Sequence, residues 1–178
     1  MGKRSDRPRL PRDFYPTPQK AVEPLIPHLW DIEWYVEPCA GNGALVEAIC
    51  NLEGPNFEWA GDLEPMKDGI EEHDAREGLP YLKYANAIIT NPPHKKDVLF
   101  PLLDIWLESC KIVWLLLNAD VAHKISFAKY MAKCEKVVSI GRVKWFPESN
   151  AASLENFAWY RFGHSGQPTQ FVGRQKSA

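Results

Sequence analysis

Glu33-Trp34-Tyr35-Val36-Glu37-Pro38-Cys39-Ala40-Gly41-Asn42-Gly43-Ala44-Leu45 is the stretch whose reading decides the fold. Glu33 to Glu37 is a short apolar strand that runs into Pro38 and a glycine turn. From Ala44 to Leu52 the apolar residues Leu45, Ile49 and Leu52 recur at helical spacing, and Gly54-Pro55 stops them. The same alternation continues outward. Phe57 to Asp62 reads as a second strand, and Ala85 to Thr90 as a third, ended by Asn91-Pro92-Pro93. Asp97 to Cys110 reads as a helix with Pro101 in or near its first turn, where proline is tolerated. Lys111 to Leu117 is a continuous apolar run, the mark of a strand covered on both faces. Ala122 to Cys134 is expected to be helical, with Ile125, Ala128 and Met131 on one side. Lys136 to Val143 and Asn156 to Phe162 read as strands joined by an irregular loop, Trp145 to Leu154. Strands alternating with helices predict an α/β sandwich around a parallel, doubly wound sheet. The last two strands have no helix between them, which predicts an antiparallel pair at one edge.

With 178 residues, 45% apolar and 25% charged, the chain is large enough to bury one domain core. A formal charge of −2 excludes a polybasic nucleic-acid coat. The longest aliphatic-aromatic run, Ile112 to Leu117, falls far short of the roughly 20 residues of a membrane helix. Residues 1 to 7 lack the apolar core of a signal peptide, so a cytoplasmic location is expected. Cys39, Cys50, Cys110 and Cys134 form no C-x-x-C pair; reduced thiols and no metal site are expected. Residues 1 to 13 carry Lys3, Arg4, Arg7, Arg9 and Arg12 against Asp6 and Asp13, interrupted by Pro8 and Pro11. That composition reads as a basic arm, either a solvated terminus or a phosphate contact. The expected organisation is that arm, a single domain over 14–163 and a polar, loose tail over 164–178.

Two constellations fall at strand ends, where open α/β sheets bind ligands. The first is Glu37-Pro38-Cys39-Ala40-Gly41-Asn42-Gly43. Its glycines permit positive φ and close backbone approach, and the following helix offers unpaired N–H groups. A plain tight turn accounts for the same residues. The third glycine of a dinucleotide loop and the Lys-Ser/Thr of a Walker loop are both missing, so neither phosphate-binding mode is supported. Asp62 ends the next strand, either as an acid for a ribose diol or as a turn carboxylate. The second constellation is Thr90-Asn91-Pro92-Pro93-His94. Two prolines hold the carbonyls of Asn91 and Pro92 rigidly. With the Asn91 carboxamide they make an acceptor set for both hydrogens of an exocyclic amine, and the ring of His94 can stack on a base. The alternative is a strand simply terminated by Pro-Pro.

Together these motifs resemble a class I, Rossmann-like S-adenosylmethionine-dependent methyltransferase of the amino-methylating kind. The resemblance is greatest to the small DNA adenine-N6 methyltransferases of bacteriophages and prophages. It implies a seven-stranded, mostly parallel sheet with an antiparallel edge pair. Asp13-Phe14-Tyr15-Pro16-Thr17-Pro18 resembles the upstream element, in which Tyr15 and Thr17 help hold the cofactor's methionine end. The glycine loop follows, with Glu37 near the methionine amine and Pro38, Cys39, Ala40, Gly41 and Gly43 against the cofactor. Asp62 matches the ribose acid and Leu63 the residue packed on the cofactor adenine. His73-Asp74-Ala75 resembles the element that meets the cofactor adenine's amine through Asp74. Asn91, Pro92, Pro93 and His94 sit where the family's Asn-Pro-Pro-aromatic motif sits, with Asn91 touching both cofactor and acceptor.

The resemblance implies direct in-line transfer to a flipped adenine, without metal or covalent enzyme intermediate. His94 departs from the usual Tyr, Phe or Trp and offers a smaller stacking surface. The candidate substrate residues are Lys95 and Lys96 (phosphate contacts or a solvated helix start), His123 (cleft lining or a polar helix start) and Trp145 (a packing group or a substrate edge). Trp114 and Trp159 are expected in the core. No insertion suits a target-recognition domain, so a short or degenerate target is expected unless a partner protein or homo-oligomer supplies recognition. Two alternatives stand beside DNA: an acceptor in RNA or a protein glutamine amide, and a cofactor-binding or partner-binding protein without catalysis, for instance a phage factor that acts on a host enzyme by contact.

Overall fold

The structure, a computed structural model, describes residues 15–146 and 152–174. The basic arm and residues 147–151 of the predicted loop lie outside the described residues. After an extended entry at 15–18 come α1 (Gln19–Val22), β1 (Trp34–Glu37), α2 (Ala44–Asn51), β2 (Asn56–Asp62) and β3 (Glu71–Glu72). Then follow β4 (Ala87–Thr90), α3 (Lys96–Ser109), β5 (Val113–Asn118), α4 (Ala128–Met131), β6 (Cys134–Arg142), β7 (Asn156–Phe162) and β8 (Gln170–Val172).

All eight strands form one sheet in the order β3-β2-β1-β4-β5-β7-β6-β8. The pairs from β3 through β5 are parallel. Strand β7 runs antiparallel to both β5 and β6, and β8 closes the far edge parallel to β6. The chain is therefore a mixed α/β fold with a mostly parallel sheet, as expected, but the described residues form eight strands rather than seven. The surplus arises at the margins. β3 is two exposed glutamates, and β8 is three residues inside the stretch read as a loose tail. Neither has the alternation by which a strand is recognised.

Residues 113–117 of β5 alternate between the two cores, which explains their unbroken apolar run. Val113, Leu115 and Leu117 pack with Leu103 and Trp106 of α3 and with Phe127 and Tyr130. Trp114 and Leu116 face Val22, Leu25, Leu45 and Ile49 on the opposite side. Each such aliphatic side chain contributes about 1.5–3 kcal/mol by leaving water. Trp114 and Trp159 are fully buried, as expected. The Trp159 indole also donates to the Ala21 carbonyl at 2.8 Å, pinning α1 to the sheet.

The helix expected over 122–134 is replaced by 3-10 turns at Ala119–His123 and Ile125–Phe127 and by the four-residue α4. Lys124 is extended, at φ −87° and ψ 124°, and breaks the helical path. The buried residues are Phe127 and Tyr130, whereas Ile125 is 95% exposed. The aromatic pair, not the Ile125-Ala128-Met131 stripe, makes the contact. Pro101 lies beyond the first turn of α3, where its missing N–H leaves the Asp97 carbonyl without its helical partner.

Candidate functional site

β1 is flanked by β2 and β4, so the loops after all three strands converge at one edge of the sheet. Gly41 (φ 54°) and Gly43 (φ 77°) take left-handed backbone, which is costly for residues with a Cβ. The Gly43 N–H closes the turn on the Ala40 carbonyl at 2.7 Å, and α2 starts immediately afterwards. Two further backbone bonds, Ala40 N–H to Gly61 and Met66 N–H to Gly41, tie this loop to the end of β2.

Asp62 clamps the same junction. Its carboxylate accepts from the Gly41 N–H at 2.8 Å and from the Glu64 N–H at 2.9 Å. The turn-carboxylate role is thus realised, and it holds the acid against the glycine loop. Leu63 and Met66, next to it, are 57% and 61% exposed and give this part of the edge an apolar surface.

Glu37 is 1% exposed, and its Oε2 is buried without a hydrogen-bond partner among the described residues. Burial pushes its carboxyl well above the ordinary range. The Asp62 carboxylate adds to the rise, and the Val46 N–H opposes it. An unpaired buried carboxyl oxygen costs free energy until a donor meets it. Cys39 is surrounded by acids: burial raises its thiol, and the carboxylates of Asp62, Glu37 and Asp74 raise it further. Its thiol is therefore harder to ionise than an ordinary cysteine.

Asp74 also reaches this edge, since β3 pairs with β2 and the His73 N–H donates to the Asp62 carbonyl at 2.9 Å. Its carboxylate, however, is engaged by Arg76. The guanidinium binds both oxygens, at 2.5 to 3.0 Å, and the Arg76 N–H adds a third donor. Those bonds hold the Asp74 carboxyl down at about 2. Ala75 is buried beneath.

Across β1, Asn91 follows β4. Its side-chain nitrogen donates to the Tyr15 carbonyl and to Thr17 Oγ1, each at 3.2 Å. A carbonyl can only accept, so the amide orientation is fixed by chemistry, and Oδ1 is the end that remains to accept. Pro92 is buried and Pro93 half-buried, anchoring the turn. Thr17 is 4% exposed, so the upstream element and the Asn-Pro-Pro turn are one packed unit.

His94 is exposed, but it is also tethered. Its Nε2 donates to the Leu116 carbonyl at 3.1 Å, and its ring lies 5.9 Å from Phe157 at 34°. Phe157 packs edge-on against Trp145 at 5.0 Å, and Trp145 lies 5.5 Å from Tyr15. An aromatic wall, His94-Phe157-Trp145-Tyr15, therefore stands beside Asn91. Phe157 is absent from the residues expected at the site. It reaches His94 only because β7 pairs with β5, setting Phe157 opposite Asn118. No local pattern could have signalled it. Lys95 caps α3 and Lys96 begins it; both are exposed, and the Lys96 ammonium sits 5.3 Å over Phe100. His123 is exposed at the end of the 3-10 turn after β5.

No family model matches the chain, and no curated protein does. Solved structures do match. One is a chain described under "Structural basis underlying complex assembly and conformational transition of the type I R-M system". It superposes with a TM-score of 0.57 at 14% identity, over 96% of this chain and 46% of that one. The two share a fold, and this chain spans under half the length of that neighbour. Among the described residues no helix is long and apolar enough to cross a membrane, and no cluster of His, Cys, Asp and Glu could hold a metal ion.

Proposed function

We propose that the chain is an S-adenosylmethionine-dependent methyltransferase whose acceptor is an exocyclic amine, adenine N6 in DNA. The observation that carries this reading is the locked amide of Asn91. With its N–H groups turned to Tyr15 and Thr17, Oδ1 is an acceptor held in a fixed direction at the strand edge. An amine needs such a group, and a thiol or carbon acceptor does not. The cofactor reading is supported by Glu37, whose buried, unpartnered oxygen suits the ammonium of a bound amino acid moiety. The glycine loop, Asp62 and the exposed Leu63 would take the rest of it. For Asp74 to meet the adenine amine, the exposed Arg76 guanidinium must first turn away.

S-adenosylmethionine, when bound, supplies an electrophilic methyl group. The chain's part is positioning. Asn91 Oδ1 and the Pro92 carbonyl accept from the acceptor amine, which withdraws its lone pair from the ring and makes the nitrogen a better nucleophile. The exposed ring of His94, backed by the buried Phe157, would support the extruded base, and such stacking adds about 1–3 kcal/mol per base. The fold shared with the neighbour described in work on the type I R-M system supports DNA as the acceptor by analogy.

The test is transfer of labelled methyl from S-adenosylmethionine to DNA, RNA and protein pools, followed by nucleoside and peptide mass spectrometry. N6-methyladenine in DNA is the expected product. Label confined to RNA or to glutamine would move the acceptor, and absence of both label and cofactor binding would refute the reading.

A further inference from the structure

The net charge of −2 conceals a strong separation of charge along the sheet. From Glu53 to Glu77, nine carboxylates stand against Lys67 and Arg76 alone. From Lys111 to Phe146, seven lysines and arginines stand against Asp120 and Glu135. The first stretch builds β2 and β3 at one edge, and the second builds β5, α4 and β6 on the other side of β4. The acidic half thus carries the glycine loop's partners, and the basic half begins where Asn91 ends β4.

Strand direction decides which of the basic groups share a surface. β4, β5, β6 and β8 are mutually aligned, because β6 and β5 both run antiparallel to β7 and β8 parallels β6. Their carboxyl ends therefore lie at the Asn91 edge. At or just after those ends stand Lys95, Lys96, Lys124, Arg142, Lys144 and Arg174, all exposed. The Arg174 side chain lies across Gly141, next to Arg142. Among the described residues, the acids on the β4–β8 side of that edge are Asp97, Asp120 and Glu155, and Glu155 already accepts from Asn118 at 2.7 Å; Asp62, Glu64 and Asp74 lie on the β1–β3 side. Lys129, lower on α4, is neutralised by Asp104 at 2.8 Å. Lys111 and Lys133 belong to the same half but lie at the opposite, amino end of β5 and β6. Ile125, beside Lys124, adds an apolar contact at 95% exposure.

We propose that this basic edge, from Lys95 and Lys96 through Lys124 to Arg142 and Lys144, is the docking surface for the DNA phosphate backbone. The acidic β2–β3 half is held away from the DNA. The inference rests on the proposed reading for its choice of DNA, and charge complementarity selects the polyanion. Spaced cations that neutralise phosphates release counterions and make affinity fall steeply with salt. The acidic half repels a second phosphate path, so the two charge fields leave one orientation in which DNA crosses the aromatic wall beside Asn91. A protein of modest negative charge can bind DNA in this way because the field at the surface, not the sum, governs the encounter.

The test compares two double variants of equal charge change. Lys124→Glu/Arg142→Glu alters the proposed surface, and Lys111→Glu/Lys133→Glu alters the opposite end of the same half. Binding of the full chain to fluorescent single- and double-stranded DNA, and to RNA of the same sequence, is read by anisotropy over a salt series, without cofactor. Thermal melting verifies that both variants are folded. The first pair is expected to weaken DNA binding at least tenfold and to lower the log–log salt slope by about 1.4–1.8, the share of two lost phosphate contacts. The second is expected to stay within twofold of the wild type. Equal losses in both, no loss in the first, or a slope change seen with RNA and not with DNA would overturn the proposal. Because the readout needs no methyl transfer, DNA binding at this edge without N6-methyladenine would refute the proposed activity and leave the surface standing. Methylation with equal losses in the two pairs would do the reverse.

Discussion

Asn91 Nδ2 donates to Thr17 Oγ1 at 3.2 Å across 74 residues of chain, and with its bond to the Tyr15 carbonyl it joins the entry segment to the turn after β4. The Tyr15 carbonyl, which can only accept, fixes the nitrogen end of the amide inward, and Thr17 Oγ1 takes its second N–H, so the side chain presents oxygen. Thr17→Val removes the acceptor and leaves a partly buried N–H unpaired, at a cost of about 1 kcal/mol. Turnover should fall by at least tenfold, and Thr17→Ser should restore it. Single-turnover methyl transfer by the three proteins, beside their melting curves, checks this. Asn91→Ala should also lose turnover while keeping most of its cofactor affinity.

Glu37 yields a pH prediction. Its carboxyl is raised by burial, so the folded chain holds a proton that the unfolded chain releases. The sign follows from linkage: this contribution is full below the ordinary carboxylate range and is lost as pH rises through the folded value. The ligand-free wild type should therefore lose stability as pH rises above that range, and Glu37→Gln should flatten the trend. A bound ammonium reverses the preference, so wild-type binding of S-adenosylmethionine should release a proton and strengthen with pH. Calorimetry in buffers of different ionisation enthalpy reads the release, which should vanish in Glu37→Gln.

Asp62→Ala breaks two charge-assisted bonds to backbone N–H groups, at Gly41 and Glu64. The expected loss is about 1.5–3 kcal/mol per bond at most, since water reaches the Glu64 side of the turn. Melting temperature and cofactor affinity should drop together, because the same carboxylate shapes the loop. Asp62→Asn, which keeps one acceptor oxygen, should fall between.

His94 separates a ring from a hydrogen bond. His94→Tyr keeps a flat surface against Phe157 and gives up the bond to the Leu116 carbonyl; His94→Gln does the opposite. If stacking is the function, the tyrosine variant should retain transfer while the glutamine variant falls with His94→Ala. Steady-state rates on one adenine-containing oligonucleotide decide between them.

Much of this protein is determined locally. The strand-glycine-helix stretch at 33–52, the Asn-Pro-Pro turn and the unbroken run of β5 depend on backbone permissions and burial periodicity, which the order of residues states directly. Positive φ at Gly41 and Gly43 is legible because few other residues take it at so little cost. Local order also foretold that the last long strands would pair antiparallel.

What tertiary structure alone decided is partnership across long separations. The lengths of β3 and β8 depend on the neighbouring edge that each pairs with, so Glu71-Glu72 becomes a strand only beside β2. Phe127 and Tyr130, rather than Ile125, turn inward because α3 presents Phe100 and not because of their own spacing. Asp74 carries a carboxylate by sequence, yet its engagement by Arg76 is a matter of fold geometry. The orientation of Asn91 and the tether of His94 rest on groups 76 and 22 residues away. Hydrogen bonds are directional and short-ranged, so a residue's type can name the chemistry it offers, while only the packed chain sets which partner completes it.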